Sequence, residues 1–260
     1  MPDYSEESSR KRGTERARAL PVRLHIDPSL LQGAKILDLG CGRGESADAL
    51  VEEYGAEVTG VDPYDRHTGG PFVGRFNYLK VPVEKLPEKY NGYFDFVQSY
   101  NVLEHIPDPI ASLEKVNDLL RVGGRVFMSI NLFRGASASH SNQDAGDWCH
   151  LLKEWQEIEA ICRQKKARPP DHVNKLAFLE YVHHINRIGF DWICPAWFQR
   201  RDITEEFYRA NIDKLQWYPK VDLNLNFMLV ALVKTDRPVK TMNEYLWGEG
   251  GVASFVPEAG

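Results

Sequence analysis

The sequence predicts an α/β fold built on a doubly wound parallel sheet. Residues 35–62 contain an apolar run, a turn with three glycines, a segment of helical periodicity and a second apolar run that ends on Asp62. Short apolar runs then alternate with helical segments as far as Ile130. This alternation is typical of parallel sheets, because each connection between parallel strands must cross back over the sheet.

The elements follow in order along the chain. Predicted strands occupy residues 36–39, 58–61, 76–83, 95–99 and 125–130. Predicted helices follow the glycine turn and occupy residues 110–120 and 148–166, where apolar residues recur at helical spacing. Gly123-Gly124 ends the second helix.

Composition limits the possible domain organisation and function. The 260 residues are 43% hydrophobic and 27% charged, which suits one buried α/β domain. The sequence shows neither an apolar run of membrane-spanning length nor a signal peptide, so we expect a cytoplasmic protein without a membrane span. A net charge of −5 argues against a nucleic-acid partner. The four cysteines form no C-x-x-C pair and are expected to be free thiols.

Four segments depart from the regular pattern of one domain predicted at residues 20–236. Residues 1–19 are polar and charged, which predicts a flexible tail or, alternatively, an arm that closes over a ligand or contacts an anionic partner. Residues 132–171 form an insertion, and residues 200–221 a long connection before the last strand. Residues 237–260 are expected to be a C-terminal tail.

The glycine turn predicts a nucleoside ligand with a cationic end. Gly40, Gly42 and Gly44 follow the G-x-G-x-G spacing, whereas dinucleotide sites use G-x-G-x-x-G. Asp38 precedes the turn and would repel a diphosphate, so a nicotinamide-dependent oxidoreductase is disfavoured. Asp62 ends the second strand, where a carboxylate can accept hydrogen bonds from two ribose hydroxyls. A strand-end aspartate can also serve only as a turn former.

The motifs resemble those of a known family. D-L-G-C-G-R-G resembles the first motif of the class I S-adenosylmethionine-dependent methyltransferases. V-E-K-L-P, F-D-F-V-Q-S, N-V-L-E-H-I-P-D-P and L-R-V-G-G-R-V-F are similar to runs in small-molecule methyltransferases related to ubiquinone and menaquinone biosynthetic enzymes. The resemblance covers residues 34–130. It implies a Rossmann-like sheet of seven strands, the last antiparallel, with the later strands at residues 190–196 and 227–233 and a helix at residues 172–190 before strand 6. It also implies S-adenosyl-L-methionine as cofactor. The helical insertion after strand 5 departs from the family.

The resemblance also implies which residues bind the cofactor. Asp38 is expected near its ammonium group or, alternatively, bonded to amides of the turn. Pro82 stands where many relatives have an aspartate that reads the adenine amino group, so other groups must recognise the base. The candidates are the Val83 and Glu84 backbone, with Pro63 or Leu86 as apolar cover. The full set of expected cofactor-binding residues is Asp38, Gly40, Cys41, Gly42, Asp62, Pro63, Val83, Glu84 and Asn101.

Two histidines are candidates for catalysis. His105 follows Glu104 at the mouth of the expected site, where it could remove a proton or serve only the architecture. His172 is expected to face the substrate. Other polar residues of the insertion raise a metal hypothesis, with magnesium as the ion, but match no compact zinc spacing, so no metal is predicted: His140, Asp144, Asp147, Cys149 and His150.

These features predict a methyltransferase that acts on a small-molecule or glycan-like acceptor, with oxygen favoured over nitrogen. The insertion is expected to form a substrate wall or lid, or else only to extend the core or make a dimer contact. The alternative function is a non-catalytic S-adenosylmethionine-binding protein with a regulatory or assembly role.

Overall fold

A computed structural model describes residues 5–171, 173–194 and 197–247. The strands are β1 (Lys35–Leu39), β2 (Glu57–Val61), β3 (Asn77–Leu79), β4 (Phe94–Tyr100), β5 (Leu120–Asn131), β6 (Phe190–Trp192), β7 (Trp197–Arg200) and β8 (Leu225–Lys234). The helices are α1 (Glu6–Leu24), α2 (Glu45–Tyr54), α3 (Pro109–Leu119), α4 (Asn142–Ala145), α5 (Cys149–Leu152), α6 (Trp155–Gln164), α7 (Phe178–Arg187), α8 (Glu205–Ala210), α9 (Ile212–Leu215), α10 (Lys220–Asn224) and α11 (Met242–Trp247).

The strands form one mixed sheet in the order β3-β2-β1-β4-β5-β8-β6, with β7 also paired to β8. Strands β1 to β5 run parallel to one another. Strand β8 is antiparallel to β5 on one side and to β6 and β7 on the other. Trp192 pairs with Leu232 and Trp197 with Leu229, so β6 and β7 occupy one edge position as two pieces. The predicted fold class is therefore confirmed, with eight strands in seven positions.

Two hydrophobic layers cover the two faces of the sheet. Leu37 packs with Leu113 of α3 and Ile185 of α7, whereas Ile36 packs with Leu20 of α1 and Leu50 of α2. Neighbouring residues of a strand point to opposite faces, which explains why the apolar runs are continuous rather than alternating.

The strand order reverses between β1 and β4. The chain passes outward from β1 to β2 and β3, and then returns to place β4 on the other side of β1. In doubly wound sheets, the crevice at the carboxyl ends of the two strands flanking such a reversal binds the ligand. The loops after β1, β2 and β4 therefore define the region where a ligand is expected.

The prediction of a flexible tail at residues 1–19 is wrong for residues 5–19, the part of this segment that the structure describes. Helix α1 begins at Glu6 and runs to Leu24, and Ser5 caps it by accepting a hydrogen bond from the Ser8 backbone N–H at 3.2 Å. Its buried stripe includes Ser9, Gly13 and Ala17, which are small residues at a spacing of four. Because small residues carry a weak hydrophobic signal, composition alone gave no indication of burial.

Other boundaries differ in smaller ways. Strand β3 is shorter than predicted, and the single helix expected at residues 148–166 is divided into α5 and α6, because Lys153 and Glu154 adopt extended backbone. Residues 237–247 of the expected C-terminal tail contact α7, where the Lys240 N–H donates to the Arg187 carbonyl at 2.8 Å. Among the described residues, no helix combines the length and apolar character needed to cross a bilayer.

Candidate functional site

The glycine turn after β1 has two crowded positions, Gly40 and Gly44, and one open position, Gly42. Gly40 has φ +70°, and a Cβ built on it would lie 2.3 Å from a methyl carbon of Val102 in the loop after β4. Gly42 has φ +56°, and a Cβ built there meets no atom within 4 Å. Gly40 therefore allows two loops to meet, whereas Gly42 leaves backbone facing open space, as a close-fitting ligand requires.

Cys41 lies between these glycines and contributes backbone rather than thiol to the site. Its Sγ would lie 2.9 Å from a Cβ built on Gly60 of β2, so the side chain packs against the sheet. Burial raises the pKa of the Cys41 thiol, which is consistent with an inert side chain.

Asp62 connects the end of β2 to the glycine turn. Its Oδ2 accepts a hydrogen bond from the Gly42 N–H at 3.0 Å, and its Oδ1 accepts one from the Tyr64 N–H at 2.8 Å. Asp62 is buried, whereas Pro63 beside it is exposed. Each carboxylate oxygen can accept more than one hydrogen bond. The turn-forming role and a ribose-binding role are therefore compatible at this residue.

Asp38 is a buried carboxylate with an unsatisfied oxygen. It is 3% exposed, and its Oδ2 has no hydrogen-bond partner among the described residues. Burial raises its pKa to about 7, although the positive charge of Arg16 opposes the rise. Gln98 of β4 pairs with Asp38 in register and is also buried, and its side chain lies close enough to lower the pKa of Asp38 as a hydrogen-bond donor. Neither Asp38 Oδ2 nor the Gln98 amide atoms make a hydrogen bond of good geometry among the described residues. Buried polar groups that are incompletely bonded favour a polar ligand at this position.

Arg16, which the sequence analysis placed in the expected tail, lies on α1 close enough to Asp38 for the two charges to influence each other. It projects from α1, and its guanidinium carbon lies 4.4 Å from the centre of the Tyr100 ring. Burial lowers the pKa of Arg16, and both Asp38 and Glu45 oppose that effect. The small residues at positions 9, 13 and 17 were the available signal, because they mark the buried face next to which Arg16 lies.

The residues expected at the adenine end are divided between core and surface. Val83 is buried at the start of a short 3₁₀ turn (Val83–Lys85). The Glu84 carboxylate accepts a hydrogen bond from the Ser112 hydroxyl of α3. Its side chain is therefore engaged with α3, and the backbone is what Glu84 can offer to an adenine.

Asn101 ends β4 in a left-handed conformation, with φ +55°. Its N–H donates to the Ser129 carbonyl at 3.0 Å, and its Oδ1 accepts from the Ser129 hydroxyl at 2.6 Å. Asparagine tolerates this conformation better than most residues, and such positions are concentrated at ligand sites. Asn101 is exposed, and Val102 directly after it contacts the position of Gly40 in the glycine turn.

A third group lies in the 3₁₀ turn Leu103–His105 and in the insertion. Glu104 and His105 come from the turn, and His140 comes from the loop before α4. One donor atom from each of the three residues lies within 4.8 Å of the others. Sequence reasoning considered His105 and His140 separately but gave no sign that they meet, because they lie far apart along the chain.

The remaining candidates lie elsewhere. His172 lies outside the described residues. The polar residues of the insertion that raised a metal hypothesis have separate partners: the Cys149 thiol contacts Ser139 at 3.3 Å, one His150 ring nitrogen lies 2.6 Å from the Phe133 carbonyl, and Asp147 pairs with Arg201 at 2.6 Å. His140 meets a different pair of residues.

Similarity to known proteins agrees with this geometry. A family model described as a methyltransferase domain matches residues 10–213. The chain belongs to this family. The match begins inside α1, in agreement with the packing of that helix onto the domain. The class I methyltransferase resemblance of the motifs is therefore confirmed.

Curated relatives match part of the chain. The ubiquinone biosynthesis O-methyltransferase of Acinetobacter baylyi is 34% identical over 119 residues, which are 42% of this chain and 50% of the relative. The protein of the same name from Bordetella avium is 36% identical over 118 residues, 42% and 48% of the two chains. The chain thus spans about half the length of the curated relatives it matches.

Solved structures share the fold at lower identity. An S-adenosylmethionine-dependent methyltransferase from Mesorhizobium loti has a TM-score of 0.53 at 19% identity, covering 85% of this chain and 100% of that one. Haemonchus contortus phosphoethanolamine N-methyltransferase 2, in complex with S-adenosyl-L-methionine, has a TM-score of 0.54 at 17% identity, covering 85% and 53%. The [4+2]-cyclase SpnF has a TM-score of 0.55 at 14% identity, covering 87% and 81%.

The residues present fit S-adenosyl-L-methionine, the cofactor of this family. The unsatisfied Oδ2 of Asp38 can accept from an ammonium group, and the open face of Gly42 leaves room for an amino-acid chain. Asp62 follows at the end of the neighbouring strand, where a ribose would be held.

Proposed function

We propose that the protein transfers a methyl group from S-adenosylmethionine to an oxygen of a small-molecule or glycan-like acceptor. The observation that carries the cofactor part is the buried Asp38 carboxylate, whose Oδ2 has no hydrogen-bond partner among the described residues. Gly42, in the turn that follows the same strand, has open space where a side chain would be. A buried carboxylate without a partner is costly, and an ammonium ligand would remove that cost.

Each cofactor-facing residue has a separate role in this proposal. Asp38 accepts from the ammonium group, and Arg16 of α1 supplies a positive charge for the carboxylate of the same amino-acid end. Gly40, Cys41 and Gly42 form the backbone floor. Asp62 holds the ribose hydroxyls, with Pro63 next to it.

The adenine and methionine portions complete the proposed binding site. Val83 and the Glu84 backbone border the adenine, and Asn101 borders the methionine portion from the end of β4. The cofactor supplies an already activated methyl group on a sulfonium. The protein's task is therefore to align the acceptor and exclude water.

Oxygen is favoured over nitrogen as the methylated atom for two reasons. The relatives at 34–36% identity bear the name of O-methyltransferases. In addition, the acceptor side contains Glu104, His105 and His140, groups that can take up a hydroxyl proton or stabilise an oxyanion. The insertion that provides His140 is proposed as one wall of the acceptor pocket.

The alternative is a protein that binds the cofactor without transferring its methyl group. The similarity to the [4+2]-cyclase SpnF supports this alternative, because SpnF shares the fold but is named for a reaction other than methyl transfer. Incubation with methyl-labelled S-adenosylmethionine and a panel of phenols, sugars and amines separates the two. Labelled methyl ether supports the proposed transfer, labelled amine contradicts the oxygen assignment, and bound cofactor with no labelled product from any acceptor favours the alternative.

Titration calorimetry with S-adenosylmethionine tests the cofactor site itself. In Asp62→Asn we expect affinity to fall about tenfold or more, because a charged acceptor for two hydroxyls is lost. Asp65→Asn is the matched control, since Asp65 lies in the same loop and is exposed. Equal affinity in Asp62→Asn and wild type would overturn the ribose assignment.

An analogue without ribose hydroxyls makes this test specific. Such an analogue should bind wild type and Asp62→Asn with the same affinity, because the bonds that distinguish the two proteins are absent. If the analogue also discriminates between them, the substitution acts through the turn, where Asp62 accepts from Gly42 and Tyr64.

A further inference from the structure

The cluster of Glu104, His105 and His140 has the composition of a metal centre. The donor atoms lie within 4.8 Å of one another, and the rings of the two histidines have centroids 5.1 Å apart at an interplanar angle of 37°. Val102, which immediately precedes the Leu103–His105 turn, contacts the position of Gly40. The cluster therefore lies next to the loop that forms the floor of the proposed cofactor site.

Glu104 gives an independent indication that a ligand is missing. Its side chain is fully buried. Oε1 accepts a hydrogen bond from the Asn131 side-chain amide at 2.6 Å, whereas Oε2 has no hydrogen-bond partner among the described residues. A buried carboxylate oxygen that lacks a partner is energetically unfavourable, so its retention points to a ligand that completes it.

The surroundings hold Glu104 in place. Its backbone carbonyl accepts from the Asn174 N–H at 2.7 Å, and the Asn174 side-chain amide donates to the Leu103 carbonyl at 2.8 Å. Tyr181 in turn donates its hydroxyl to Asn174 Oδ1 at 3.1 Å. Such an ordered support fixes the direction of a ligating carboxylate.

We propose that Glu104, His105 and His140 bind one divalent transition-metal ion of the zinc class. Two imidazoles and one carboxylate are a donor set that suits zinc and its neighbours better than magnesium or calcium, which prefer oxygen alone. Zinc bonds of about 2.1 Å place tetrahedral donors about 3.4 Å apart, so the cluster must contract by roughly 1 Å. His140 is the exposed member and comes from the insertion.

The catalytic role of this metal site rests on the proposed methyl transfer, and the site adds to that proposal the class of acceptor, a hydroxyl. Three protein donors leave an open position, where a hydroxyl of the acceptor binds and its O–H pKa falls. The proton is released to solvent, an oxygen–carbon bond forms as the methyl carbon–sulfur bond breaks, and the products are a methyl ether and S-adenosylhomocysteine. A metal-bound oxyanion keeps lone pairs for attack, whereas a metal-bound amine has none, so the site selects hydroxyl acceptors.

Metal binding is measured directly on untagged protein stripped with a chelator. Zinc calorimetry and metal analysis after dialysis should give about one ion per chain for wild type. His140→Ala should weaken zinc binding by at least tenfold, and cobalt should give a visible spectrum in wild type that is lost in this variant. His183→Ala is the matched control, because His183 is an exposed histidine on α7.

Zinc binding to the variants distinguishes a metal centre from a purely hydrogen-bonded cluster. Wild type that retains no zinc, or His140→Ala that binds zinc as wild type does, overturns the metal site. Glu104→Gln should also lose zinc. The Glu104 side chain is buried, so Glu104→Gln could fail to fold, which circular dichroism would show. In that case His140→Ala decides the result.

S-adenosylmethionine calorimetry on the same variants keeps this proposal distinct from the proposed function. His140→Ala should bind the cofactor within about twofold of wild type. Zinc binding without cofactor binding supports the metal site while contradicting the methyltransferase proposal, and cofactor binding without zinc does the reverse.

Discussion

Gly40 and Gly42 lie two residues apart in one turn, yet a side chain would meet different surroundings at each. At Gly40 a Cβ would enter the Val102 side chain, and at Gly42 it would enter open space. The glycine at position 40 is thus explained by packing, whereas nothing among the described residues except its positive φ requires the glycine at position 42. The proposed ligand explains the second glycine.

We expect Gly42→Ala to lose cofactor while keeping the fold. The positive φ costs an alanine about 1–2 kcal/mol, and no described protein atom obstructs the methyl group. S-adenosylmethionine affinity should fall tenfold or more by calorimetry, because the methyl group occupies ligand space. Gly55→Ala is the control, since Gly55 has φ +63°, the same open surroundings and a position at the end of α2. An equal loss of affinity in both variants would contradict the assignment.

At the scale of elements, α1 connects the N-terminal segment to the site. A Cβ built on Gly13 would lie 2.2 Å from the backbone oxygen of Glu45, so α1 approaches the first turn of α2 more closely than any side chain permits. Arg12 also pairs with Glu45 at 2.9 Å. This close approach brings Arg16 towards Asp38. The flexible tail is therefore wrong for this segment, and the alternative of an arm that closes over a ligand stays a prediction.

Gly13→Ala should destabilise the protein although it replaces glycine within a helix. Alanine would gain up to about 1 kcal/mol in helix propensity, but the contact with the Glu45 backbone forces the helices apart. We expect a net loss of roughly 1–3 kcal/mol in the free energy of unfolding, as in other overpacked contacts. Urea denaturation measures this change, and cofactor affinity should fall with it because Arg16 moves with the helix.

Lys11→Ala is the control for that experiment. Lys11 is exposed on the same helix, and we expect its removal to change stability by less than about 0.5 kcal/mol. A Gly13→Ala protein as stable as Lys11→Ala would mean that the two helices are not held at this separation.

At the scale of the whole molecule, the sheet reversal concentrates charge around Asp38. Arg16, Glu45 and Asp62 all influence its carboxyl from three different elements. Because burial raises the pKa from 3.8 to about 7, the folded state binds a proton more tightly than the unfolded state. The stability that this group provides is complete below about pH 4 and is lost as pH rises through about 7.

Asp38→Asn should remove this pH dependence. Unfolding free energies measured between about pH 5 and 8 should fall less steeply in the variant, so that its stability relative to wild type rises with pH. Cofactor affinity should fall in the variant at the alkaline end of this range, because the carboxylate that would accept from the cofactor's ammonium group has been removed. Parallel stability profiles for the two proteins would show that Asp38 does not titrate in this window.

The parts of the site that the sequence predicted are local in the chain. The turn glycines, Asp38 and Asp62 lie within one strand-turn-helix-strand unit, so their spacing alone brings them together. Arg16 and His140 escaped prediction as site residues because their positions depend on packing between distant segments. Arg16 depends on the contact of α1 with α2, and His140 on the fold of the insertion.

The sequence by itself determined the α/β class, the doubly wound sheet and the position of the cofactor turn, because hydrophobic periodicity and glycine spacing act over a few residues. Only the tertiary structure decided that the N-terminal segment is a packed helix and that His140 meets Glu104 and His105. Those contacts join residues far apart in sequence. Their formation depends on the shape of the surfaces that pack together, which local periodicity does not encode.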